Sequence, residues 1–97
     1  MRLEETDNFI EIGICLDDGT LIGTAEIEPN KHMLERFAIF TPFQDKGYGQ
    51  EALDMLIQKY MLTNLWVRSD NEKAIHIYEK YGFKRAKETM FEMRVGE

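Results

Sequence analysis

At 97 residues the chain has room for one domain with one modest core. A net charge of −6 argues against nucleic-acid binding through a broad basic surface. No apolar run approaches the ~18 residues of a membrane span. The opening Met1–Glu5 lacks a leader's apolar stretch, so no membrane partner and a cytoplasmic protein are expected.

Residues 8–16 alternate around Phe9, Ile10, Ile12, Ile14 and Leu16, and 20–28 carry Leu21, Ile22, Ala25 and Ile27. Asp17-Asp18-Gly19-Thr20 between them predicts the turn of a β-hairpin. Cys15 lies in the first arm and reads as a small core residue; a single cysteine forms no internal disulfide. Cys15, His32 and His76 have no zinc-ligand spacing, so no metal is expected. Glu28-Pro29-Asn30 ends the hairpin, and 33–40 reads as a third strand whose run Phe37-Ala38-Ile39-Phe40 is expected to be buried.

After Thr41-Pro42 comes Gln44-Asp45-Lys46-Gly47-Tyr48-Gly49, followed by Gln50. Beyond it, Ala52, Leu53, Leu56, Ile57 and Tyr60 are spaced as the inner face of a helix over about 48–61. A glycine-bearing turn between strand and helix gathers backbone N–H groups at the positive end of the helix dipole, which suits an anion such as a pyrophosphate. The same glycines also serve as a plain turn.

Leu65-Trp66-Val67 predicts a short strand. Ser69, Asp70 or Asn71 caps a helix running to about Tyr81, with Ala74, Ile75, Tyr78 and Tyr81 on its inner face and Gly82 just beyond its end. Phe83 to Val95 reads as one or two closing strands. The order β-β-β-α-β-α-β(β) implies a single α+β domain, an α/β sandwich of two main helices on a mostly antiparallel sheet. The acidic excess lies wholly in residues 1–43, with three Lys/Arg against nine Asp/Glu; residues 44–97 hold nine of each. Such a field suits steering of a cationic amine, and equally a merely soluble surface.

Gln44-x-x-Gly47-x-Gly49, followed by Asn71-x-x-Ala74-x-x-x-Tyr78-x-x-x-Gly82-Phe83, resembles the GNAT superfamily of acetyl-CoA-dependent N-acetyltransferases. The close resemblance covers about residues 34–83. It implies transfer of acetyl from acetyl-CoA to a primary amine, on a small molecule or a peptide, by direct attack. It assigns backbone N–H groups of Asp45, Lys46, Gly47, Tyr48, Gly49 and Gln50 to the CoA pyrophosphate, with added attraction from Lys46. The strand at 37–40 is expected to splay from 65–67, so that Phe37, Ala38 and Ile39 pair with the pantetheine arm. Asn71 contacts the cofactor arm or simply caps its helix. Tyr78 matches the family tyrosine that protonates the leaving thiolate. Glu35, on the strand before the turn, is the candidate base, with Glu26 and Glu28 as weaker alternatives.

Members of the family usually carry a strand and two helices ahead of the hairpin, where only about seven residues stand here. That departure predicts a reduced acceptor wall, exposed apolar surface and a homodimer. It also keeps open a non-catalytic acyl-CoA-binding or regulatory module.

Overall fold

The computed structural model describes residues 1–6, 11–67, 70–85 and 92–95. Their strands form one seven-stranded sheet, in the order β1-β2-β3-β4-β5-β7-β6. The strands are β1 Arg2–Glu5, β2 Glu11–Cys15, β3 Leu21–Glu28, β4 Met33–Ile39, β5 Asn64–Trp66, β6 Phe83–Arg85 and β7 Glu92–Val95. Helix α1, Tyr48–Tyr60, links β4 to β5, and α2, Glu72–Lys80, links β5 to β6. Every strand pair is antiparallel except β4–β5. The α+β class read from the sequence therefore holds, and the closing segment holds two strands.

The hairpin forms at Asp17–Thr20. Leu16 and Thr20 are joined by a 2.9 Å backbone bond, and Gly19 adopts φ +93°, a conformation that favours glycine. Phe9 and Ile10, predicted for the first arm, and the cap candidate Ser69 lie outside the described residues. The stretch before the hairpin is no mere preamble: Arg2–Glu5 is a strand, pairing Leu3 with Ile14 and Glu5 with Ile12. Its mixed polarity, with only Leu3 apolar, hid it from a periodicity reading. Tyr60 at the end of α1 donates to a Glu5 carboxylate oxygen at 2.9 Å, tying that helix to β1.

Alternation sorts the sheet's two faces. Ile12, Ile14, Ala25, Ile27, Leu34 and Leu65 are buried with Ala52, Leu53 and Leu56 of α1 and Ile75 and Tyr78 of α2. On the opposite face of β1–β4 stand Glu4, Glu11, Thr24, Glu26 and Arg36, exposed or half-buried. Glu11 lies opposite Glu26, whose charge is relieved by Arg36 at 3.5 Å. Among the described residues no helix is long and apolar enough to cross a membrane.

Strand β4 departs from the uniform burial expected of 37–40. Phe37 and Ile39 are half-buried, Ala38 is exposed, and Phe40 leaves the strand at 38% exposure to start a 3₁₀ turn over Thr41–Phe43. The pairing of β3 with β4 slips by one residue between Glu26–Arg36 and Ile27–Leu34, leaving Glu35 as the extra residue of a β-bulge. Further along, Gly23 faces Ile39, and a Cβ at Gly23 would stand 2.4 Å from the Ala38 carbonyl oxygen. Backbone approaches backbone there, so the site requires glycine. Gly23→Ala is expected to lower the free energy of unfolding by about 1–3 kcal/mol, as overpacked cores do, measured by urea denaturation; an unchanged midpoint would show that the strands separate freely at this point.

Candidate functional site

β4 and β5 pair only at Met33–Asn64 and Leu34–Leu65. Past Leu34 the two strands part. The Phe40 N–H donates to Ile22 O at 2.8 Å, toward β3. Antiparallel alternation then sends the backbone groups of Ala38 toward β3 as well, and those of Phe37 and Ile39 toward the open edge. Gln44 Nε2 donates to the Ile39 carbonyl there, at 2.8 Å.

A cleft of about 490 Å³ lies along this edge of β4, between it and α2. β4 contributes Phe37 and Ile39. The turn contributes Gln44, Asp45 and Gly47, and the first turn of α1 contributes Gly49 and Gln50. From α2 come Asn71, Lys73, Ala74 and Ile77. The turn brings its N–H groups together through two left-handed residues, Asp45 at φ +61° and Gly47 at φ +85°. Gly47 is the N-cap of α1 and makes no side-chain cap, so among the described residues no side chain is recorded on the first N–H groups of the helix. Gly49 adopts no unusual φ; an added Cβ would meet only Ile39 Cγ1, at 3.8 Å. Its smallness keeps the helix start accessible from the cleft.

The sequence-predicted residues separate into two sets. Phe37, Ile39, Gln44, Asp45, Gly47, Gly49, Gln50 and Asn71 line one cleft. Glu35, Ala38, Lys46, Tyr48 and Tyr78 are not among its lining residues. Ala38 is turned away by strand alternation, Lys46 is exposed, and the Tyr48 side chain packs on the core. Asn71 does cap α2, its Oδ1 accepting from Ala74 N at 3.2 Å, and its amide nitrogen is left as a donor at the cleft wall. Sequence reasoning missed Lys73 and Ile77 and assigned Ala74 to the core face alone. The three-residue step from Asn71 through Ala74 to Ile77 marks a stripe that the periodicity contains.

Tyr78 lies one turn beyond Ala74 on that stripe. It is 7% exposed, and its ring meets Phe83 edge-on at 6.3 Å between centroids. Burial pushes its hydroxyl pKa up to about 12. Glu35 is half-buried at the bulge, next to the last β4–β5 pair. Cys15 is buried in β2, where burial and then the Glu4 carboxylate push its thiol pKa up. No group of three or more potential metal ligands occurs among the described residues.

The description "Acetyltransferase (GNAT) family" matches residues 2–83. The chain belongs to this family. None of the curated proteins matches significantly. Solved structures of similar fold include a mutant of the spermidine N-acetyltransferase SpeG from Vibrio cholerae, 22% identical with a TM-score of 0.62 over 92% of this chain and 67% of that one. Ard1 from Thermoplasma volcanium is 20% identical, with a TM-score of 0.67 over 92% of this chain and 72% of its own. Spermidine N-acetyltransferase from Vibrio cholerae in complex with CoA and spermine is 26% identical, with a TM-score of 0.58 over 79% and 52%. This GNAT chain thus spans between about half and three quarters of the length of these structures.

The raised Tyr78 pKa has a defined sign. The folded state favours the neutral phenol, so its contribution is intact below pH 10 and is lost as pH rises toward 12. Two units correspond to at most roughly 3 kcal/mol. Urea midpoints measured from pH 9 to 12 should fall, and fall less in Tyr78→Phe; parallel curves would show that the hydroxyl titrates as it does in water.

Proposed function

We propose that this GNAT domain binds acetyl-CoA in the cleft between the open edge of β4 and α2 and transfers its acetyl group to a primary amine. The observation that carries the reading is the parting itself. An open strand edge at Phe37 and Ile39 leads to an uncapped helix start at Gly47–Gln50, within one cleft. The edge suits an extended amide-bearing arm, as an added strand would, and the helix start suits a pyrophosphate. Its volume, about 490 Å³, falls in the range of small-molecule sites. The GNAT match over residues 2–83 and the CoA bound by one structural neighbour point the same way.

Acetyl-CoA supplies an activated thioester, so the protein need only orient it and manage protons. Asn71 offers an amide donor to the arm, and Gln44 fixes the Ile39 carbonyl at the edge. Tyr78 keeps its proton on Oη at neutral pH. An acid near 12 is weaker than a thiol of ordinary pKa near 8.5. Its role is therefore to hydrogen-bond the leaving sulfur and relay a proton released by the amine. Glu35, at the bulge where the strands part, is the proposed acceptor of the other proton, the one the ammonium form of the acceptor loses before it attacks. Direct attack needs no cysteine, and Cys15 lies outside the cleft lining.

The acceptor is an amine of a small molecule or a peptide; spermidine and spermine name neighbours' ligands only. One observation favours a second reading, an acyl-CoA-binding module with a reduced acceptor site. Only five residues separate β1 from β2, too few for a helical pair.

Calorimetric titration should detect 1:1 binding of acetyl-CoA; no heat with acetyl-CoA or CoA would refute both readings. Gly47→Ala places a Cβ at φ +85° and should weaken binding about tenfold or more, while Gly49→Ala has steric room. Tyr78→Phe should lower turnover at least tenfold with acetyl-CoA affinity nearly unchanged. Unchanged turnover would remove Tyr78 from the mechanism, and binding without transfer to any amine would select the second reading.

A further inference from the structure

The anion-binding turn contains an anion. Asp45 lines the cleft between Gln44 and Gly47, where a carboxylate opposes any phosphate held by the neighbouring N–H groups. Lys73 resolves the conflict from the facing wall. It stands in the first turn of α2, lines the same cleft, and places Nζ 3.0 Å from Asp45 Oδ1. The pair therefore joins the turn to α2 at the cleft.

This ion pair is weakly held. The Lys73 and Asp45 side chains are 80% and 78% exposed, and ion pairs in water contribute little. Lysine is a compact charge with three donors on a flexible stem, able to move from one oxygen anion to another without moving its helix. A pyrophosphate carries two negative charges, one on each phosphorus, against the one on the carboxylate that holds Lys73 in the free protein.

We propose that Lys73 is a phosphate-binding residue of this cleft, stored on Asp45 until a phosphate-bearing ligand draws it away. The inference rests on reading the cleft as an acetyl-CoA site. It makes Asp45 a competitor of the ligand, a residue whose neutralisation improves binding. Asparagine is the fitting probe, because it tolerates the left-handed backbone of Asp45 and removes only the charge.

The test is calorimetric titration of the full chain and its Asp45→Asn, Lys73→Gln and doubly substituted variants, each checked for folding by circular dichroism. Two ligands are compared: acetyl-CoA, and S-acetylpantetheine, which carries the thioester arm without phosphates. Asp45→Asn should tighten acetyl-CoA binding about three- to tenfold. Lys73→Gln should weaken it about tenfold or more, and should do so again in the Asp45→Asn background. S-acetylpantetheine should bind all four proteins alike. If Lys73→Gln has no effect once Asp45 is neutral, the lysine only offsets the aspartate and the proposal fails. It fails equally if Asp45→Asn weakens binding, or if both ligands change together. An unsubstituted protein that binds no acetyl-CoA refutes the reading of the cleft itself, a different result from any of these.

Discussion

Everything about the site follows from a pairing that stops. Two parallel strands meet at Met33–Asn64 and Leu34–Leu65 and then separate. Inside a continuous sheet the groups of Phe37 and Ile39 would be consumed by a neighbour. Here they face a cleft, where half-buried polar groups demand partners; the Ile39 carbonyl already takes the Gln44 amide as one. The protein holds β4 to β3 instead. The Gly23 backbone lies against Ala38, Phe40 bonds Ile22, and the Glu35 bulge re-aims the strand just where β5 leaves it. An interrupted ladder costs stability, and the large core beneath it, from Ile12 to Phe83, supplies what the gap forgoes.

The helices then convert an edge into a site. α1 starts at the mouth of the gap with no side-chain cap, an arrangement that leaves donors for a ligand. α2 lays Asn71, Ala74 and Ile77 along the opposite wall. Tyr81, the C-cap of α2, reaches back to donate to Gln50 O at 3.3 Å, so the two walls are tied at the first turn of α1. Charges decorate this frame: the Lys73–Asp45 pair joins the walls at the turn, and the opposite sheet face carries Glu4, Glu11 and Glu26.

Much of this was legible in the sequence. The Asp-Gly turn, the Pro29 and Pro42 breaks and the helical spacing of Ala52, Leu53 and Leu56 each encode local geometry, and their elements formed where expected. Of the site, the glycine turn and Asn71 were readable because they depend on backbone conformation and capping. Other parts depend on tertiary placement and leave no local pattern. Strand β1 holds its position by pairing with β2 rather than by apolar alternation. Ala38 faces away because a one-residue bulge resets the alternation, a register event invisible in one strand alone. Lys73 looks like any solvated lysine until the fold sets Asp45, 28 residues away in sequence, beside it.

The central claim is that the parted strands and the uncapped helix start together receive one ligand. Amide NMR of the uniformly ¹⁵N-labelled protein titrated with acetyl-CoA tests it most directly. The account predicts the largest shifts at Phe37, Ile39, Gly47, Tyr48, Gly49 and Gln50, with Asn71 and Lys73 on the facing wall, and small shifts at β1 and β2. Binding that moves the β1–β2 face while leaving Phe37, Ile39 and the Gly47–Gln50 amides unchanged would contradict it.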